Sequence, residues 1–308
     1  MATTLISSPG DNTRGAIAML TGVFLFSVME AMVKWLAADY PVQQIILFRS
    51  AFALPPCAWF IHRAGGIAVL RTKRAHLHAL RGGLGLLAMG CVFLAYGRME
   101  LADAKAILFA APLFMTVLSI PILGEKVGIY RWSAVLVGFL GVLVILRPDD
   151  GMMQSGALFA LGGAILYALV VIVIRYQSGT ENVATIIFYF TLIGTIGGAI
   201  LTAIFGWVTP TLPDLALLVT VGLIGGFGQY YMTLAFRLAE TAAIAPLDYT
   251  ALAWAILFGW LFWHHIPTPG VFAGIALVTG SGLFILYRER KLAGGRRNLS
   301  VEPGKVGP

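Results

Sequence analysis

Charge is what this chain has least of. Of its 308 residues only 11% are Asp, Glu, Lys or Arg, while 59% are hydrophobic; a typical soluble domain is about 25% charged. A water-soluble fold of this length would have too few polar side chains to cover its surface, so that class is excluded. Cysteine is nearly absent. Cys57 and Cys91 both fall in apolar stretches, which leaves no disulfide framework or thiolate metal site to expect. The chain also lacks a Gly-x-x-x-x-Gly-Lys-Ser/Thr phosphate loop and a His-Glu-x-x-His pair, so neither ATP hydrolysis nor zinc hydrolysis is indicated. His76 and His78 are two apart and fall on different helix faces, and His264-His265 ends an apolar run. These histidines read as solvated interface residues, and no metal or other cofactor is expected. Met1 to Asn12 has no basic n-region and no small-residue cleavage site, so the first apolar run reads as a retained helix rather than a signal peptide.

What fills the sequence is long apolar runs. They cover roughly 14–37, 42–62, 77–97, 102–122, 129–146, 155–175, 183–205, 214–236, 242–263 and 268–287, each near the roughly 20 residues a helix needs to cross a bilayer. Turn and helix-end signals separate them, such as Asp39-Tyr40-Pro41, Gly124-Glu125-Lys126, Arg147-Pro148-Asp149-Asp150 and Pro267-Thr268-Pro269. The expected class is an all-α integral membrane protein with about ten transmembrane helices. The basic residues, which give a net charge of +7, lie mostly between alternate runs: Arg14, Arg63, Arg71, Lys73, Arg74, Arg81, Lys126, Arg131, Arg175, Arg237 and the tail on one side. Lys34, Arg98, Lys105 and Arg147 fall on the other. That asymmetry predicts both termini in the cytoplasm and argues against a nucleic-acid surface.

The two halves repeat. Residues 141 positions apart match at Gly15-Ala16 and Gly156-Ala157, Leu20 and Leu161, Gly22 and Gly163, Lys34-Trp35 and Arg175-Tyr176, and Ile45-Ile46 and Ile186-Ile187. After one residue of slippage, Leu94-Ala95-Tyr96 falls on Leu234-Ala235-Phe236, Glu100 on Glu240 and Ala102 on Ala242; the original offset returns at Gly141 and Gly282. Expected units are a short N-terminal cytoplasmic segment, 1–13, two five-helix repeats at 14–147 and 155–288, and a disordered basic cytoplasmic tail, 289–308. Five spans per unit is an odd number, so the second unit is inverted relative to the first. Inverted repeats are an architecture of secondary transporters, with the cargo site near the midplane between them.

Several stretches carry a family resemblance: Met29-Glu30-Ala-Met-Val-Lys34-Trp35, Ile46-Leu-Phe-Arg49, Ala95-Tyr96 leading to Leu101-Ala-Asp-Ala, Ala111-Pro112-Leu-Phe, Leu123-Gly-Glu125-Lys126 and Ala245-Pro246-Leu-Asp248-Tyr249-Thr250. In this order and spacing the chain resembles the EamA-type branch of the drug/metabolite transporter superfamily over roughly residues 14 to 288. His264-His265 stands where the second unit of the family often has Gly-Glu. The resemblance implies alternating-access movement of a small metabolite across the bacterial inner membrane. The stretch from Met29 to Val42 is most similar to bacterial riboflavin importers, which makes riboflavin, or a similar heteroaromatic metabolite, the expected cargo. The alternative cargo is a charged metabolite such as an amino acid or S-adenosylmethionine. A membrane enzyme acting on lipid would need a clustered nucleophile, carboxylate pair or metal set, which the sequence does not offer. An assembly protein would show no saturable transport.

Candidate cargo residues follow from the cost of polar groups in lipid. Glu30 and Arg49 each lie about seven residues, hence about 10 Å, from the same membrane face, and could pair across the first two spans. Their counterparts in the second unit, Val171 and Phe190, make any such site asymmetric. Asp248 follows Pro246 closely, where proline frees a backbone carbonyl. Tyr96, Tyr230, Tyr249 and Trp254 offer stacking surfaces, with Gln229 as a polar neighbour. Pro55, Pro56, Pro112 and Pro246 are candidate hinges. Pairs of glycines four apart, Gly194/Gly198, Gly222/Gly226 and Gly270/Gly274, predict close helix packing.

Overall fold

A computed structural model describes residues 9–124, 127–146, 155–178, 181–239 and 244–299. Glu125, Lys126, Arg147 to Asp150, Glu240 and Ala242, invoked above as turn or repeat markers, lie outside the described residues. Helix α1 spans Pro9–Leu36, α2 Val42–Ala51, α3 Leu54–Ala64, α4 Ala75–Arg98, α5 Leu101–Leu108 and α6 Ala111–Leu123. Helix α7, Ile129–Leu146, closes the first half; in the second follow α8 Ser155–Ser178, α9 Val183–Phe205, α10 Leu212–Leu238, a 3-10 turn over Ala245–Tyr249, α11 Thr250–Trp263 and α12 Pro269–Leu299. Among the described residues these elements make ten spans long and apolar enough to cross a membrane. Each begins and ends close to the apolar runs read from the sequence. The tail expected to be disordered from residue 289 instead continues α12 through Leu299.

Three spans are broken, and the proline positions explain where. Phe52-Ala53 separates α2 from α3, with proline in the first turn of α3. Phe109-Ala110 separates α5 from α6, with Pro112 in the first turn of α6. Pro246 opens the 3-10 turn before α11. A proline has no N–H to bond the preceding turn, so each break falls just upstream of it or at it.

Helix pairing has a symmetry the sequence alone does not display. The first span, α1, packs on α10, and α4 packs on α8. Exchanging the two five-span units turns one pairing into the other. The same exchange turns the α4·α9 contact into α10·α2, and the contact of α8 with α5 and α6 into that of α1 with α11; α2·α9, α5·α11 and α7·α12 map onto themselves. The glycine pairs serve these contacts. A Cβ at Gly222 would collide with Phe52 Cβ, and one would lie 2.9 Å from Pro56 Cγ at Gly226 and 2.8 Å from Leu47 Cα at Gly198. Gly194 faces Ser50 across the same α2–α9 seam, and Gly274 meets the Gly141 carbonyl between α7 and α12.

The exchange extends to hydrogen bonds at the two ends of the bundle. At one end Gln44 donates to the Val208 carbonyl at 2.7 Å and accepts from the Val208 N–H at 3.0 Å, while the Tyr40 hydroxyl donates to Asp214 at 2.8 Å. At the other end the residues 141 positions on do the same work. Thr185 donates to the Val69 carbonyl at 2.7 Å, and Glu181 accepts from Thr72 at 2.9 Å. His78, expected to be a solvated interface residue, is only 1% exposed; it lies 3.3 Å from Glu181 and 3.3 Å from Gln177. Folding the connection between α3 and α4 back onto α9 removes it from water.

Candidate functional site

Glu30 does not pair with Arg49. Its carboxylate accepts two hydrogen bonds from the Lys105 ammonium, at 2.6 and 2.8 Å, and the two side chains are 12% and 14% exposed. The reason is helical phase. Met29, one residue before Glu30 and about 100° away on the helix, faces Gly225, where a Cβ would sit 3.0 Å from Met29 Sδ and 3.4 Å from Arg49 Nε. Glu30 therefore turns to a different neighbour, the short helix α5. Lys105 had read as a charge of an outer segment, but α5 is the first half of a broken span and carries it inside. The clue in the sequence was its position four residues into an apolar run, where a lone ammonium needs a carboxylate.

Around this pair the interior polar groups gather. The Tyr96 hydroxyl, fully buried, lies beside the Glu30 carboxylate. Asp248 is within electrostatic reach of both Lys105 and Glu30. Tyr249 stacks on Phe109 with ring centroids 4.8 Å apart and planes 25° apart. Those two rings are repeat equivalents at the slipped offset, so they meet where the two units exchange. Tyr167 on α8 lies within electrostatic reach of Asp248 and of Arg81. Lys34 points away from Glu30. It donates to the Met99 carbonyl at 2.7 Å and the Tyr96 carbonyl at 3.3 Å, capping the end of α4.

A second centre lies on α2, α4 and α9. Arg49 and Arg81 are 6% and 7% exposed, and both guanidinium groups approach the Phe190 ring, at 5.4 and 3.8 Å from its centroid. Arg81 was expected to be juxtamembrane; the close packing of α4 on α9 buries it. A Cβ at Gly85 would lie 2.7 Å from Phe190 and 3.1 Å from Arg81 Nη1, so the missing side chain there makes room for both. Arg49 and Phe190 are again repeat equivalents in contact. A cavity of 10 Å³, room for about one water, is lined by Arg49, Ala53, Cys57, Phe190, Gln229 and their neighbours. Arg49 and Gln229 are thus brought together as candidates.

Other candidates are not. Tyr230 stacks on Phe60 at 4.2 Å with planes 7° apart, so its face is already used. Trp254 packs edge-on against Phe24 of α1 at 4.9 Å and beside Phe258, away from Glu30. The rings missed by sequence reasoning, Phe109, Tyr167 and Phe190, carried no signal among 19 phenylalanines and 10 tyrosines; only packing distinguishes them.

Two five-span units whose mutual pairings exchange with one another, with broken fourth spans and a charged centre between them, are what a carrier needs. The model of the EamA-like transporter family matches this sequence twice, over residues 13–147 and 154–287. The chain belongs to that family. It is 29% identical over 292 residues to a riboflavin transporter of Rhizobium johnstonii, covering 94% of this chain and 96% of that one. It is 30% identical over 265 residues to a pseudopaline exporter of Pseudomonas aeruginosa, covering 86% and 93%. To an S-adenosylmethionine uptake transporter of Rickettsia prowazekii it is 28% identical over 279 residues, covering 90% and 94%. A crystal structure of a protein 17% identical superposes with a TM-score of 0.65, covering 91% of this chain and 99% of that one, a likeness of fold. The family and these relatives place the chain among multi-pass membrane transporters rather than enzymes.

Proposed function

We propose that this EamA-family chain takes up riboflavin across the bacterial inner membrane by alternating access, with both termini in the cytoplasm. The observation that carries the reading is the Phe109–Tyr249 stack at 4.8 Å between the two units, edged by Glu30, Lys105 and Asp248. A flat ring system with a hydrogen-bonding edge has the shape and chemistry to enter there: aromatic faces supply dispersion and quadrupole contact, and the charged edge groups supply direction. Relatives named riboflavin transporters, from Rhizobium johnstonii and from Vibrio cholerae, match along nearly the full length, which supports the cargo. The basic segments support the orientation.

In this reading the units rock about the centre. Breaks beside Pro55, Pro56, Pro112 and Pro246 supply hinges, because backbone there lacks a full hydrogen-bond ladder. The ties at the two ends, Gln44–Val208 and Thr185–Val69, hold opposite faces shut and open in turn.

A second reading, carriage of a charged metabolite, is favoured by one observation: Arg49 and Arg81 are buried charges beside the same pathway. Uptake of labelled riboflavin by a riboflavin-requiring bacterium without its own transporter separates the two. Saturable uptake that unlabelled riboflavin competes away is the expected result. Absence of uptake, with the chain verified in the membrane, would sink the riboflavin assignment and bring the charged cargo forward.

A further inference from the structure

We infer that Arg49 and Arg81 form a binding site for an oxyanion, a carboxylate or phosphate group, between α2, α4 and α9. A guanidinium stays protonated in a protein, so burying one calls for an opposite charge or a full set of acceptors. These two are each more than nine-tenths buried. Arg49 Nε, Arg81 Nε and Arg81 Nη1 have no hydrogen-bond acceptor among the described residues. Among the described groups the interactions acting on Arg81 come from Arg49, a like charge, and from the Tyr167 phenol, not from a carboxylate. The pair Glu30–Lys105 shows that the same interior neutralises a charge when its partner is supplied by the chain. Phe190 offers both guanidiniums its ring face, a weak substitute for an anion.

Geometry agrees. Both guanidiniums lie over the one Phe190 ring, Arg49 and that ring line the cavity, and forked donors match the two oxygens of a carboxylate or phosphate. Gly225 and Gly85 clear the space beside them. Gln229 adds an amide to the cavity wall. That cavity holds about one water as it stands, so an oxyanion enters when α3 and α9 part at the Phe52-Ala53 break, Ala53 being part of the wall. Tyr167 lies within electrostatic reach of both Arg81 and Asp248.

The test is thermal unfolding of the full-length chain in detergent, titrated with sodium phosphate, sodium acetate and sodium chloride. Phosphate or acetate should raise Tm saturably, by about 5 °C at high occupancy, with chloride at the same concentration far weaker. Arg49→Gln and Arg81→Gln, each checked for a monodisperse folded peak, should weaken the apparent affinity at least tenfold. Without added probe, Arg81→Gln should unfold no lower than wild type, because it removes a like-charge contact. Acetate acting alongside phosphate assigns the site to a carboxylate such as a cargo would carry; phosphate acting alone assigns it to a free inorganic anion. A wild type with no saturable rise, a rise equalled by chloride, or a rise unchanged in both variants would overturn the site. The titration reads binding without transport, so failed riboflavin uptake leaves it standing, and a failed titration leaves the uptake result standing.

Discussion

Two pairs of buried charges lie within this protein, and the fold treats them in opposite ways. Glu30 and Lys105 come from helices at the contact of the two units and neutralise each other at 2.6 Å. Arg49 and Arg81 come from α2 and α4 and share a phenylalanine ring instead of a carboxylate. Burying an ion pair is close to neutral in stability, whereas burying a lone charge is costly unless something else compensates it. The first pair is thus complete as folded. The second is completed from outside, and that makes it the more informative place to look for a ligand.

The largest expected effect comes from making the first pair resemble the second. Lys105→Met leaves the Glu30 carboxylate alone, which should lower unfolding free energy by about 3–5 kcal/mol and abolish uptake. Adding Glu30→Gln to it should restore most of the thermal stability. A double variant as unstable as the single one would mean that Lys105 acts through packing rather than through charge.

A smaller effect separates stacking from charge at the centre. If the cargo is flat and neutral, Tyr249→Ala should raise KM about tenfold, the worth of one aromatic contact, and more than Glu30→Gln does. The reverse order in an uptake assay would favour charge recognition.

The ties at the two ends sharpen the comparison between the units. Gln44→Ala removes two hydrogen bonds and Thr185→Val removes one; each bond contributes about 1 kcal/mol. Unfolding should show the Gln44 variant as the weaker. Accessibility of a reporter cysteine at each face should rise on the side whose tie was cut. Both variants opening the same face would break the symmetry argument. Smallest of all, Arg81→Gln should unfold no lower than wild type when no anion is present, unlike Lys105→Met, because no partner is stranded.

Much of the fold was legible because lipid imposes a simple rule. Every span needs a run of apolar residues, so the ten spans could be counted from composition, and the constant offset between halves exposed the duplication. The site was legible in part. Glu30, Arg49, Tyr96, Asp248 and Tyr249 stood out as polar or aromatic groups in apolar runs, and all five lie in the two interior centres. Their partners did not stand out. Lys105 and Arg81 each sit near the start of a run, where long cationic side chains ordinarily reach the interface. Tyr230 and Trp254 were indistinguishable from cavity rings until Phe60 and Phe24 were found against them.

By itself, then, the sequence determined the solvent this protein folds in, the number of its spans and their division into two units, because hydropathy and repetition are properties of the chain read in one dimension. Only the tertiary structure decided which charges meet. Pairing depends on the phase of each helix and on which neighbour a break or a glycine lets approach. At about 100° per residue, one position separates a carboxylate that finds Lys105 from a methionine that lies against Gly225.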